Sequence, residues 1–291
     1  MIVKLLISSA ITILFFIIFI KLVSLNEILD FLSLVDVYSV VAGFSLYSVS
    51  QVVRAVRWNL LLKAGSLGIM FLVSSATIFM NNILPARTGE LSWFFYMRKV
   101  GYNLSVSAFS LILGRFSDLF GLFFLFLLLY AFEHSVWYGI PVALLFMFWG
   151  WMVFKIIMIL PAFWKIRDFR QYVERELTPI RLTSVVVLSF ISFVCKFIAV
   201  LFVIENVFSV DVTDFMLALA GGEITSVMPI HGFLGMGTYE AGFTVLYGIG
   251  EIGFREALKL GFISHMFFLL SSSILGILSM LLLHILPSKS P

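Results

Sequence analysis

Ten charged side chains interrupt stretches of sequence that are otherwise apolar, and their types suit the binding of ions or charged groups. Six are basic and four are acidic: Arg54, Arg57, Arg87, Arg115, Lys155, Lys196, Glu90, Asp118, Glu223 and Glu240. A charge at the centre of a bilayer costs roughly 2.5–3.5 kcal/mol on insertion scales, so such residues are candidates for function. Arg57 and Lys155 lie near the ends of their apolar segments, and we expect both to extend towards the headgroups.

Arg115 and Asp118 lie three positions apart, which places them side by side on one face of a helix. Two interpretations stay open for them, a neutralised pair that orients the helix and a direct role in binding. Arg54 belongs to a second pattern, a stripe at helical spacing that we predict to face the protein interior. Its members are Tyr47, Gln51, Arg54 and Trp58.

Lys196 lies in the middle of an apolar segment and needs an acidic partner, for which Glu223 and Glu240 are the candidates. The four histidines are scattered at spacings that fit neither a helical metal site nor a catalytic motif. Among them, His231 is the candidate for binding. The single cysteine, Cys195, excludes an intrachain disulfide and a multi-cysteine metal site. We therefore predict neither a metal nor a cofactor.

The composition is that of an integral membrane protein. The 291 residues are 62% hydrophobic and 12% charged, whereas soluble domains carry about 25% charged residues. The mean hydropathy is +1.12. A net charge of +3 is too small to indicate a nucleic-acid partner. We predict a single membrane domain over residues 1–291.

Six segments are long enough to cross a bilayer as helices, which takes about 20 apolar residues: residues 2–23, 37–62, 104–132, 136–160, 183–204 and 257–286. Two further apolar stretches are broken, at residues 66–99 and 212–250. Their second limbs rise only about 18–20 Å, too little to cross, so each stretch is predicted to form a re-entrant hairpin. The residues that shape the tips are Pro85, Gly89, Pro229, Gly232, Gly235 and Gly237.

The distribution of basic residues orients these segments. Ten fall on the side of the N-terminus and three on the other side, which predicts cytoplasmic N- and C-termini in a cell membrane. The order helix, helix, hairpin, helix then occurs twice, with the second half upside down. The predicted fold class is an all-α polytopic membrane protein with six transmembrane helices and two hairpins in an inverted repeat, with halves at about residues 1–133 and 134–291. Interrupted segments in matching positions mark the binding site of many transporters.

The hairpin tips match in chemistry as well as in position. Glu90 and Glu240 each follow a threonine closely and fall in the first turn of a returning helix. They either offset the positive end of that helix or contribute to a site that binds an anionic headgroup there. Arg87 has no use as a helix cap at an N-terminus, so we predict that it binds the headgroup.

Four motifs lie at the two tips and on the second and third crossings: Asn82-x-Leu84-Pro85-x-Arg87-x-Gly89-Glu90, Arg115-x-x-Asp118, Arg57-Trp58 and Pro229-x-x-Gly232-x-x-Gly235-x-Gly237-x-x-Glu240-Ala241. Together they resemble the lysylphosphatidylglycerol synthase transmembrane-domain family, also called the flippase-like domain family. The second tip reads Ile230-His231-Gly232-Phe233, where a Pro-Gly-Gly run is common in the family. The resemblance covers essentially the whole chain.

The resemblance implies translocation of a lipid between leaflets. In two-part members, the membrane domain is implicated in flipping an aminoacylated phospholipid that a soluble aminoacyltransferase makes, and we expect this chain to keep the translocation half alone. The expected substrate is an anionic, aminoacylated or polyprenyl-linked lipid. The expected partners are that lipid, a second copy of the chain and a separate lipid-synthesising enzyme. Two alternatives stay open, a membrane-embedded lipid-modifying transferase and an accessory subunit of an envelope pathway. Since no catalytic constellation is recognised, an enzyme is not the first prediction.

Overall fold

The computed structural model describes residues 2–63, 66–84, 88–159, 164–226, 232–247 and 253–287. Within these residues the chain is helical and forms no strand. The helices are α1 (Ile2–Leu22), α2 (Leu25–Leu34), α3 (Val37–Leu62), α4 (Leu67–Ile83), α5 (Glu90–Lys99), α6 (Leu104–His134), α7 (Val136–Ile159), α8 (Trp164–Glu176), α9 (Pro179–Ile204), α10 (Val212–Ser226), α11 (Thr238–Tyr247) and α12 (Phe254–Ile285), with a short 3-10 turn at Phe233–Gly235.

Among the described residues, five helices are long and apolar enough to cross a membrane: α3, α6, α7, α9 and α12. Helix α1 provides a sixth crossing if α1 and α2, which meet at a bend of 78°, are counted as one broken span. These six positions agree with the six predicted crossings. The chain is therefore a multi-pass membrane protein.

Helix α2 was not predicted, because ten residues are too short to give a transmembrane hydropathy signal. A capping box starts it: the N–H of Ser24 donates to Oε1 of Glu27 at 3.0 Å, and the N–H of Glu27 donates to Oγ of Ser24 at 3.3 Å. This arrangement satisfies two backbone donors at the helix start. The same Glu27 carboxylate accepts from Arg255 at 2.6 Å, which ties α2 to the start of α12.

Two pairs of short helices occupy the predicted broken stretches, α4 with α5 and α10 with α11. Helices α10 and α11 approach closely, since a Cβ on Gly221 would lie 2.5 Å from the carbonyl oxygen of Gly242. Gly89, just before α5, lies equally close to the backbone of Met80 on α4. Re-entry through one face of the membrane and the inverted repeat stay predictions.

The chain folds into two compact units, each assembled from segments that are remote in sequence. Unit 1 comprises residues 1–49, 75–92 and 195–280, and unit 2 comprises residues 50–74, 93–194 and 281–291. In unit 1, rings of Phe15 and Phe19 on α1 pack against Phe262 on α12. The predicted division into halves at about residue 133 stays a prediction.

Small residues on α6 allow close helix packing in unit 2, as expected of their i, i+4 spacing in a membrane helix. A Cβ on Gly114 would overlap the Trp58 ring on α3. A Cβ on Gly121 would lie 2.9 Å from the backbone nitrogen of Phe190 on α9. Both glycines therefore serve the close helix packing that their spacing in the sequence indicates.

Helix α8 lies between crossings and packs on unit 2 through Tyr172. Its hydroxyl donates to the carbonyl oxygen of Leu61 at 2.9 Å, and its ring packs against Phe109. Burial and the nearby Glu176 carboxylate raise the pKa of Tyr172 to about 12. The tyrosine is therefore a neutral donor at physiological pH and fixes α8 to the end of α3.

Gly121→Val is expected to lower the free energy of unfolding by about 1–3 kcal/mol, because the new methyl groups would meet the backbone of α9. Thermal unfolding in detergent measures the effect. Gly139→Ala on α7 is the matched control, since nothing lies within 4 Å of the new Cβ. That control should be neutral or more stable by up to about 1 kcal/mol. Equal melting temperatures for both variants would contradict the packing assignment.

Candidate functional site

Helices α3 and α6 each contribute two charged residues to one site within unit 2. Arg54 and Arg57 lie on α3, and Arg115 and Asp118 lie on α6. The Asp118 carboxylate forms an ion pair with Nη1 of Arg57. The same Nη1 donates to Oγ of Ser189 on α9 at 2.7 Å. We call Arg54, Arg57, Arg115 and Asp118 the arginine cluster.

The prediction that Arg57 extends to the headgroups is wrong, because its side chain is 1% exposed. Asp118 and Ser189 supply a countercharge and a hydrogen-bond acceptor inside the protein, and these partners come from helices remote in sequence. The guanidinium carbon also lies 4.7 Å from the Trp58 ring centroid. Lys155 is exposed on α7, and its extension towards the headgroups stays a prediction.

The stripe on α3 faces inward as predicted. Tyr47, Gln51 and Trp58 are all buried, and Arg54 is half-buried. The Trp58 ring packs on Trp93, with 4.3 Å between ring centroids. The stripe therefore places Arg54 on the inward face of α3 within unit 2. The spacing of the stripe in the sequence predicted this inward face.

Positive charge exceeds negative charge in the arginine cluster. Arg54, Arg57 and Arg115 all act electrostatically on the one Asp118 carboxylate, so the formal charge of these four groups is +2. Nε and Nη2 of Arg57 and Nε of Arg54 are buried with no hydrogen-bond partner among the described residues. Leaving a buried donor unpaired costs about 1–3 kcal/mol, and more for a charged group. An anion with several acceptor oxygens would satisfy these donors of Arg54 and Arg57.

Phosphate is the anion that this arrangement fits best in chemistry. A guanidinium group presents donors in a planar fork that pairs with two oxygens of a phosphate, and it stays charged when removed from water. An ammonium group would offer only a point charge. The cluster can therefore bind a phosphate group without any change in its own protonation.

A second group of buried ionisable side chains lies within unit 1. Nζ of Lys196 on α9 lies 2.6 Å from Oε1 of Glu223 on α10. The same ammonium lies 4.3 Å from the centroid of the Phe268 ring on α12. Of the two predicted partners for Lys196, the structure therefore selects Glu223.

Glu240, on α11, is fully buried and makes two contacts in unit 1. Its Oε2 accepts from the N–H of Gly237 at 2.7 Å, which is the capping contact expected at the start of α11. Its Oε1 lies 2.7 Å from Nδ1 of His265 on α12. The His265 ring stacks on Tyr239 with 4.4 Å between centroids. The side chains of Lys196, Glu223, Tyr239, Glu240 and His265 are named the unit 1 cluster.

Sequence reasoning missed His265, because a lone histidine in a long apolar segment carries no spacing signal. Its position near the middle of α12, among the apolar residues of a crossing, is the one feature that could have indicated it. The tertiary contact with Glu240 is what gives it a chemical role, and that contact joins residues 25 positions apart.

Several predicted tip residues have defined places in unit 1. Nδ2 of Asn82 on α4 donates to Oγ of Ser272 on α12 at 2.8 Å. Glu90 is the first residue of α5, which agrees with its predicted place in the first turn of a returning helix. Gly235 and Gly237 have φ values of +80° and +87°, a region that favours glycine, which agrees with their predicted place in a tight turn.

Other predicted tip residues lie outside the described residues. These are Pro85, Arg87, Pro229 and His231. Gly232 is described, and a Cβ there would overlap the backbone of Met236.

An apolar cavity of about 530 Å³ lies within unit 1 between α1, α11 and α12. Its walls include Phe15 of α1, Ala241 of α11 and Leu258 of α12. Gly237, whose N–H binds Glu240, also lines it. The cavity therefore adjoins the first turn of α11.

The described residues contain no group of three or more His, Cys, Asp or Glu that could hold a metal ion. The family model described as "Lysylphosphatidylglycerol synthase TM region" matches residues 1–276 of the 291. This match confirms the resemblance seen in the tip and crossing motifs. No curated protein and no solved structure matches the chain.

Proposed function

We propose that this protein moves an anionic phospholipid between the leaflets of a membrane. The premise is that the chain belongs to the lysylphosphatidylglycerol synthase transmembrane-region family. A role connected with membrane lipids is consistent with this family and with the multi-pass fold. The proposed step is translocation, and the proposed place of binding is the arginine cluster.

The observation that carries the proposal is a set of buried guanidinium donors, on Arg54 and Arg57, with no hydrogen-bond partner among the described residues. A structural ion pair needs one arginine for Asp118, but three arginines act on that carboxylate. Buried charge is costly in a membrane protein, so the buried donors of Arg54 and Arg57 that have no hydrogen-bond partner among the described residues call for a function. A lipid phosphate supplies the negative charge and the acceptor oxygens that Arg54 and Arg57 lack.

The two broken helix pairs support a transporter-like plan, in which hairpins from inverted halves flank one pathway. Arg87, in the sequence before α5, is proposed as a separate contact for an anionic headgroup at the first tip. The apolar cavity beside α11 has a lining suited to an acyl chain. A homo-oligomer and a separate lipid-synthesising enzyme are the proposed partners.

Reconstitution into liposomes tests the proposed function. Liposomes that hold labelled lipids with anionic and zwitterionic headgroups should show faster exchange of the anionic lipid between leaflets when the protein is present. Headgroup composition, measured by mass spectrometry, should stay unchanged. A new lipid species that depends on the protein would favour the transferase alternative, and equal exchange with and without protein would contradict translocation.

The protein is proposed to lie in the plasma or inner membrane of the cell, with both termini in the cytoplasm. In this orientation ten basic residues fall on the cytoplasmic side and three on the other side. Asp168→Cys, at an exposed position of α8, should react with a membrane-impermeant maleimide only from the cytoplasmic side. Asp30→Cys and Asp211→Cys, both exposed, should react only from outside. Native Cys195 lies within α9 and should not react. Reaction of residue 168 from outside would reverse the orientation.

A further inference from the structure

Glu240 and His265 pair a carboxylate with an imidazole, two groups that can each bind a proton. Glu240 is fully buried and His265 is 6% exposed, and their facing atoms are 2.7 Å apart. At this distance one proton can be shared between the imidazole and the carboxylate in a hydrogen bond. Histidine is the side chain whose charge ordinarily changes between about pH 5 and 8.

The charge of the pair depends on how many protons it holds. With none, it carries one negative charge; with one, its net charge is zero. Because burial disfavours net charge, one shared proton is the arrangement that suits the enclosed pair. Exposure of the pair to water would remove that preference and allow the proton to leave to a water molecule, with only an N–H or O–H bond broken.

The surroundings connect the pair to other ionisable groups in unit 1. Tyr239 stacks on His265 and interacts electrostatically with both Glu223 and Glu240. Its hydroxyl is buried with no hydrogen-bond partner among the described residues. Glu223 in turn binds Lys196 from α9. Tyr239 therefore interacts with two carboxylates, each of which has a basic partner of its own.

Two further helices reach this region of unit 1. Helix α3 places Tyr47 against the Phe268 ring, with 6.2 Å between centroids. Helix α1 contributes the Thr12 hydroxyl, which accepts from the N–H of Phe233 at 2.8 Å. These two helices add neutral polar groups, and the charged groups of the region come from α9, α10, α11 and α12.

Protonation of the pair also affects the backbone at the start of α11. A carboxylate accepts the Gly237 N–H more strongly than a neutral carboxyl does, and it offsets the positive end of the helix. The adjoining turn contains Gly235 and Gly237 in the left-handed region, and its Gly235 lies against the His265 ring. A proton on Glu240 therefore weakens the contact that holds this turn to α11.

We propose that Glu240 and His265 form a proton-exchange site that couples proton movement to lipid movement. The coupling rests on the proposed function, whereas the proton site does not. The pair takes up one proton when enclosed and releases it to water when the turn before α11 opens. Lipid transport would then be driven by a pH gradient across the membrane.

Infrared pH titration of the purified protein tests the proton site without any lipid transport. The wild-type protein should show a protonated-carboxyl band whose intensity changes with pH. Glu240→Gln should lose that band while staying folded, because glutamine can also accept the Gly237 N–H in a capping box. His284→Gln, at an exposed histidine of the same helix, is the control and should keep the band. Absence of a band specific to Glu240 would overturn the proton site.

Liposomes with a pH gradient test the coupling. A gradient of about two pH units should change the accumulation ratio of the labelled anionic lipid up to about 100-fold if one proton moves with each lipid. In Glu240→Gln the ratio should not respond to the gradient. Lipid exchange that occurs but ignores the gradient would overturn the coupling and leave the proposed function standing. Lack of any lipid exchange would overturn both, while the titration would still decide the proton site.

Discussion

Arg57→Met is expected to lower the free energy of unfolding by about 3–5 kcal/mol, since it leaves the Asp118 carboxylate buried without its hydrogen-bonded partner. The Ser189 hydroxyl loses its donor in the same change. Thermal or denaturant unfolding in detergent, followed by circular dichroism, measures the loss. An exposed residue at the end of an apolar segment would give a far smaller value.

The double variant Arg57→Met/Asp118→Leu separates charge balance from function. Removing both partners of a buried pair is often close to neutral for stability, so most of the loss should be recovered. Transport of anionic lipid should not recover, because the buried donors of Arg57 are gone. Lys63→Met is the control at an exposed ion pair with Glu176 and should cost at most about 1 kcal/mol. Normal transport by the double variant would contradict headgroup binding by Arg57.

Arg54→Gln is expected to reduce the rate of anionic lipid exchange by roughly 10–100-fold without loss of stability. A hydrogen bond to a charged group contributes about 1.5–3 kcal/mol, and each 1.4 kcal/mol corresponds to a factor of ten. Stability should hold because Asp118 keeps Arg57 as its partner, and because loss of Arg54 removes a repulsion of Arg57. The liposome exchange assay measures the rate, and thermal unfolding measures the stability.

Two controls make the Arg54 result specific. Lys155→Gln removes an exposed positive charge near Trp151 on α7 and should exchange anionic lipid at the wild-type rate. Arg54→Lys should keep part of the activity, since an ammonium group keeps the charge but lacks the fork of donors. If Arg54→Gln exchanges anionic lipid as fast as the wild type, the arginine cluster does not bind the headgroup.

The sequence was sufficient for the crossings and for the inward face of α3. Helix length and apolar periodicity are local properties, so residues 37–62 could be assigned to a helix with Tyr47, Gln51 and Trp58 on its buried face. The packing glycines of α6 followed from the same periodicity. Helix α2 could not be found in this way, because a ten-residue amphipathic helix gives no transmembrane signal.

The pairing of charges was decided by tertiary structure. Spacing along one helix suggested Arg115 as the neighbour of Asp118, but the hydrogen-bonded partner Arg57 lies 61 positions away on α3. Lys196 had two acidic candidates in the sequence, and the packing of α9 on α10 brings Glu223 to it.

What the sequence by itself determined is the class of the protein, its family, its membrane segments and the set of charges that the bilayer makes costly. These depend on composition and on periodicity within single helices. Only the tertiary structure decided which charges meet, that Arg57 is buried, and that His265 joins Glu240. The physical reason is that an ion pair depends on distances of a few ångströms between side chains, and the packing of helices remote in sequence sets those distances.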